Sequence, residues 1–272
     1  MTIGTAWLLP IGTDQLQRME ICDSVLGVLE QAEVAAYQTN HDRQLASLSR
    51  AAARIAASTI VEKAVLPHEW SFSRAPGGGR FLRAPEGLLM NVSIADNENF
   101  LVICMNNMTH GIGVDVESWQ RPVGWRDTAS RFFSAQEQSL IGHLSDEEGS
   151  DVFTMLWTGK EALAKASGKQ LADLLELPLV ESKQTNQQTL LLEGLIRDQW
   201  NIRWFDFGVD LVAICCDTTM SCALPTIVPI DCVKAINAKI LEIALPRLGE
   251  IPSAGDAFWL VPAACLMANF QP

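Results

Sequence analysis

LLMNVSI (88–94), NFLVICM (99–105) and HGIGVDVE (110–117) are the runs on which the reading of the fold turns. Each is short and rich in β-branched or bulky apolar residues. Each is bounded by polar or glycine-containing spacers of a few residues, the pattern of strands joined by tight turns, so an antiparallel meander is expected. In the third run the alternation has chemical content. Successive side chains of a strand point to opposite faces, which places Ile112, Val114 and Val116 towards a core and Asp115 and Glu117 together on the other face, roughly 7 Å apart. Two carboxylates so placed repel unless a cation lies between them, and oxygen donors favour a hard ion such as Mg²⁺, which binds through a few carboxylates and substrate phosphates. A strand end with two solvated acids would show the same pentapeptide.

Outward from these runs, residues 3–9 read as a strand and 14–30 as a helix with Asp14 near its cap. Residues 41–65 carry a long alanine-rich helical pattern with Asn40 as its cap. The segment 75–87 has the Gly and Pro content of a loop or short hairpin. Helices are expected over 134–144 and 150–168, and strands over 188–193, 200–207 and 209–216. Strands and helices do not alternate strictly, which favours an α+β fold over a doubly wound one. Three parts are expected: an N-terminal α+β half over 1–109, a C-terminal α+β half over 110–224, and an extension over 225–272. Prolines recur in the extension at 225, 229, 246, 252, 262 and 272.

A second group with chemical content is Trp157-Thr158-Gly159-Lys160-Glu161-Ala162, followed by Lys165. Val152, Leu156 and Leu163 share one helical face, and Glu161 and Lys165 lie four apart, adjacent on the surface. One reading is a single favourable ion pair on a solvated face. The other is a glutamate completing a metal site, with lysines neutralising phosphate.

Composition narrows the class. The 272 residues have a formal net charge of −12 and a hydrophobic content of 48%, a globular chain that lacks the basic character of a nucleic-acid binder. Seven cysteines are scattered without a CxxC pair, as in reduced cytosolic thiols. The four histidines have no HExxH spacing. No basic stretch followed by an apolar run opens the chain, so no secretory leader is expected, and the apolar stretch 257–270 is short for a bilayer span. The expected setting is cytoplasmic, with no membrane and no nucleic acid involved.

GVDVE (113–117) followed some forty residues later by WTGKEALAKASGKQL (157–171) resembles the 4′-phosphopantetheinyl transferase superfamily, in its larger monomeric branch of two similar α+β halves side by side. Supporting matches are Arg131-Phe132-Phe133-Ser134, Asn91-Val92-Ser93 and the arginine-bearing helix around Arg43 to Arg54. The resemblance spans roughly residues 1–220. It implies Mg²⁺ held by Asp115, Glu117 and Glu161, coenzyme A as co-substrate and an acyl or peptidyl carrier protein as acceptor, as in fatty acid, polyketide or nonribosomal peptide biosynthesis. It further implies Glu161 as general base and Lys165 at the leaving phosphate. Lys160 would bind phosphate or place the helix, and Arg43, Arg80 and Ser93 would contact the 3′-phosphate. Three departures stand out. Ile94 replaces a histidine of the family that helps hold that phosphate, so weaker selection for it is expected, partly restored in Ile94→His. Gly79-Arg80-Phe81 replaces Gly-Lys-Pro, and the tail has no counterpart in shorter members. Ile94 also leaves open a degenerate member acting in binding or assembly; a Mg²⁺-dependent phosphohydrolase would use the same acids.

Overall fold

The computed structural model describes residues 5–10, 25–61, 65–74, 79–107, 111–120, 122–179, 193–196, 200–217 and 227–229. They form two compact units, each a sheet packed with a long helix. The architecture is α+β, as expected.

The first unit holds strands β1 (Thr5–Pro10), β2 (Ser71–Arg74), β3 (Arg80–Arg83), β4 (Leu89–Asp96) and β5 (Phe100–Asn107), with helices α1 (Val28–Ala35) and α2 (Asn40–Ile60). Its sheet also takes in a short strand from the proline-rich tail, β10 (Ile227–Pro229), which lies parallel to β1 with Ala6 opposite Ile227. The strand order is β10-β1-β5-β4-β3-β2. Of the segment 75–87, expected as a loop or short hairpin, residues 75–78 lie outside the described residues, and Arg80–Arg83 form β3, which pairs antiparallel with β2 and with β4. Most of the helix expected over 14–30 lies outside the described residues. The long helix begins as expected, but its cap is Thr39 and not Asn40: Thr39 Oγ1 accepts from the Asp42 amide at 3.0 Å, satisfying a donor that the first turn leaves free. Ala51, Ala52, Ala56 and Ala57 are fully buried on α2. Their small side chains let the helix lie close over a core that includes Met90, Val92, Leu101 and Ile103.

The second unit carries β6 (Ile112–Ser118), β7 (Glu193–Ile196), β8 (Trp200–Asp206) and β9 (Asp210–Asp217) in the antiparallel order β6-β9-β8-β7. The expected three-strand meander therefore breaks after β5. β6 joins β9 through seven register pairs, from Ile112 opposite Cys216 to Ser118 opposite Asp210. Local alternation specifies that a run is a strand, whereas its partner is chosen by long-range burial. Helices α3 (Trp125–Phe132), α4 (Ala135–Gly142) and α5 (Asp146–Ser167) complete the unit. α5 has 22 residues and starts earlier than the apolar pattern suggests. Ser145 and Glu148 form a reciprocal capping box at its start, and Gly168 ends it at φ +66°. Among the described residues no helix is long and apolar enough to cross a membrane.

Candidate active site

The site is built where β6 passes under the last turns of α5. A Cβ placed on Gly113 would lie 2.0 Å from the Ala162 carbonyl oxygen and 2.5 Å from the Ala166 nitrogen. Strand and helix are therefore in backbone contact, which only glycine allows. Two residues along the same face comes Asp115, opposite the small Ala213, and then Glu117 opposite Leu211. Glu161 and Lys165 come from α5. Ile112, Val114 and Val116 are buried as expected, but the helix-packed core of the unit lies on the other face of β6, where Cys215, Ala213 and Leu211 stand opposite Gly113, Asp115 and Glu117. The acid face, however, is not open to solvent. α5 covers it, and Asp115 is only 5% exposed.

Lys165 Nζ donates to Asp115 Oδ1 at 2.7 Å, with the lysine side chain 34% exposed. Asp115 Oδ2 is buried with no hydrogen-bond partner. Burial, opposed by Lys165 and reinforced by Glu161 and Glu117, pushes the Asp115 carboxyl from 3.8 up to about 7. Glu117 is also raised, first by burial and then by Glu161, while Lys165 and a hydrogen bond from the Trp157 side chain pull it down. Trp157 is fixed in turn by stacking on Phe153, which stacks on Phe133 at 5.2 Å between ring centroids.

Asp115, Glu117, Glu161 and Lys165 thus act on one another, as one group of three acids and one cation. The acids do not close into a compact three-donor cluster, since no such group occurs among the described residues. Mutual repulsion keeps like charges apart and the lysine ammonium occupies one Asp115 oxygen. The donor set still fits Mg²⁺: all oxygen, with one buried carboxylate oxygen left without a partner.

Lys160 points away from this group. It is fully buried, 3.0 Å from Glu137 Oε2, and donates to the Leu177 carbonyl at 2.5 Å. Burial lowers its pKa against the pull of Glu137. Of the two roles expected for Lys160, this placement favours fixing the helix. Arg43, Arg80 and Ser93 belong to the first unit. Arg43 donates to the Tyr37 carbonyl at 2.8 Å and to Asn40 Oδ1, tying down the start of α2. Arg80 opens β3, half-buried, and Ser93 is buried in β4. Ile94 belongs to the apolar core of that unit. Ile94→His would place a polar ring among these side chains, so the gain in selectivity expected of it is accompanied by lost packing.

Residues 111–216, from just before β6 to the last but one residue of β9, match the model of the 4′-phosphopantetheinyl transferase superfamily. The chain is 37% identical over 114 residues to the 4′-phosphopantetheinyl transferase HetI of Nostoc sp.. That match covers 41% of the chain and 46% of HetI, about half the length of the Nostoc protein. A Synechocystis sp. protein provisionally named for the same transferase is 29% identical over 205 residues, 71% of this chain and 80% of the relative.

Within residues 111–216, two contacts lay beyond the sequence. Trp157 stands out by type, but nothing in its spacing assigns it to Glu117. Glu137 goes unnoticed as well, although Ser134-x-x-Glu137 is the signature of a helix start, and it does cap α4.

The raised Asp115 pKa carries a sign that can be checked. Between about pH 4 and 7 the unfolded chain binds fewer protons at this group than the folded one, so stability falls as pH rises through that window. In EDTA, Asp115→Asn is expected to be about 1–2 kcal/mol more stable than the wild type at pH 8, with the gap closing near pH 4. Equal melting temperatures at pH 8 would show that Lys165 already offsets the burial.

Proposed function

We propose that this chain transfers the 4′-phosphopantetheine arm of coenzyme A to a serine of an acyl or peptidyl carrier protein, releasing 3′,5′-ADP. The observation that carries the reading is the buried Asp115 Oδ2 without a hydrogen-bond partner, on a carboxylate whose other oxygen Lys165 holds and whose charge Glu161 and Glu117 oppose. Asp115, Glu117 and Glu161 would hold Mg²⁺, which supplies charge neutralisation on the pyrophosphate when bound. Trp157 orients Glu117 for that task through its hydrogen bond.

Glu161 takes the proton of the carrier serine as its oxygen bonds to the β-phosphorus. The bond from that phosphorus to the bridging oxygen breaks, and charge grows on the departing phosphate of 3′,5′-ADP. Lys165 meets that charge. Its partial exposure lets it leave Asp115 for the phosphate, and positioning with electrostatics accounts for most of the rate. Carrier proteins are usually acidic and this chain carries −12, so docking relies on local apolar or basic surface and not on long-range attraction.

The deciding experiment incubates the protein with Mg²⁺, coenzyme A and an apo carrier protein, and reads the carrier by mass spectrometry. A gain of one phosphopantetheine is expected. Release of inorganic phosphate without that gain would select a phosphohydrolase, and complex formation without chemistry an assembly role. Lys165→Ala is expected to lower kcat by about tenfold or more with a smaller change in coenzyme A binding, because its charge is needed most as the leaving group departs. Weaker coenzyme A binding at unchanged kcat would make it a ground-state contact instead.

A further inference from the structure

We propose that the buried Glu137–Lys160 pair is a positioning device for the acid group, fixing the rotation of α5 and with it the places of Glu161 and Lys165 opposite Asp115. This inference rests on the transferase reading of the site.

The pair is the centre of a fully engaged polar hub. Glu137 Oε2 accepts from the Ser134 amide at 3.1 Å, from Ser134 Oγ at 2.8 Å and from Lys160 Nζ at 3.0 Å. Its other oxygen accepts from the Leu179 amide at 3.0 Å. Lys160 Nζ also donates to the Leu177 carbonyl and sits 5.2 Å from the centre of the Phe133 ring. The end of α3, the start of α4, the middle of α5 and the segment 177–179 are all held by two side chains, exposed by 1% and 0%.

Stability alone is a weak reason for such a hub. Desolvating two charges offsets most of their attraction, and neutral residues of similar volume often hold a core as well or better. What the pair supplies is direction. Apolar packing tolerates small rotations and slides of a helix, whereas bonds of fixed length and angle do not. Lys160 immediately precedes Glu161, so the angle at which α5 presents one sets the angle of the other. A side-chain tip roughly 6 Å from the helix axis moves about 2 Å for a 20° rotation. That displacement exceeds what the short, regular Mg²⁺–oxygen geometry accommodates. Neighbouring Gly159 closes the remaining freedom: a Cβ there would lie 2.6 Å from the Trp204 ring and 2.9 Å from Leu179.

The test uses the full chain with Glu137→Gln and Lys160→Met combined, which removes both charges while keeping an acceptor for the Leu179 amide and the lysine's apolar stem. Three quantities are measured: thermal unfolding in EDTA, Mn²⁺ affinity of the protein alone, and the kinetics of carrier modification. The expected result is a melting temperature within a few degrees of the wild type, Mn²⁺ affinity lowered about tenfold, and kcat falling by more than KM for coenzyme A changes. Glu137→Asp, which keeps the charge but withdraws it by one methylene, should show a smaller loss of the same kind. A folded double variant with wild-type Mn²⁺ affinity and kcat overturns the proposal. If the double variant does not fold, a folded Glu137→Asp protein with unchanged Mn²⁺ affinity overturns it equally. A wild-type protein that binds Mn²⁺ yet leaves carrier protein unmodified would refute the transferase reading, while the Mn²⁺ comparison would still decide the role of the pair.

Discussion

Asp115→Ala is expected to lower carrier modification about a hundredfold to a thousandfold while leaving the protein folded. The side chain sits at the centre of the group: it is buried, paired with Lys165 on one oxygen and open on the other. Removing it takes away one of the three donors proposed for the cation. It also frees Lys165, whose charge is then no longer held in place. The loss of activity comes without a loss of stability, because the carboxylate is repelled by Glu161 and Glu117 and disfavoured by burial. Metal-free Asp115→Ala should therefore melt at or above the wild-type temperature in EDTA at pH 8, apart from the small cavity left beside Ala213. Mass spectrometry of the carrier over a time course gives the rate, and calorimetry gives the melting temperature. Near wild-type turnover would place the chemistry elsewhere in the chain.

Gly113→Ala is expected to destabilise the second unit by about 3 kcal/mol, roughly 6–12 °C in melting temperature. The added carbon would stand 2.0 Å from a helix carbonyl, and the obstacle is backbone on both sides, so no side-chain rotation relieves it. β6 and α5 must separate, which carries Asp115 away from Lys165. Activity should fall even below the melting temperature, and the Asp115→Asn stabilisation at pH 8 should shrink in the Gly113→Ala background because burial of the group is partly lost. A melting temperature unchanged by Gly113→Ala would mean that the strand and helix are not held at this spacing. The same argument explains why glycine opens the motif GVDVE: it sets a distance.

Side-chain periods alone showed which residues of the candidate site share a face, while its assignment as a site came from the family resemblance. Alternation along 112–117 puts Asp115 and Glu117 on one face, and the four-residue spacing puts Glu161 beside Lys165, because both follow from backbone geometry that any strand or helix obeys. The α+β class followed in the same way from the order of the patterned segments. Pairing of those segments did not. Nothing local in β6 says that it takes β9 as its neighbour in place of β5, nor that residues 227–229 lie beside β1. Strand partners are selected by the surface they bury together, a property of the whole chain.

Burial and direction were decided only by the tertiary structure. By its own pattern Asp115 is an acid on a polar face. α5 makes it a buried acid with a carboxyl near pKa 7, because the helix removes the water that would have solvated its charge. Lys160 and Lys165 are alike in the sequence, and both flank the glutamate. Their five-residue separation turns them to different sides of α5, one into a closed hub with Glu137 and the other onto Asp115. Sequence determined which chemical groups this protein has and which of them share a face. Three-dimensional packing determined which groups lose their water and what each then faces, and from that follows which lysine is tied to Glu137 and which reaches Asp115.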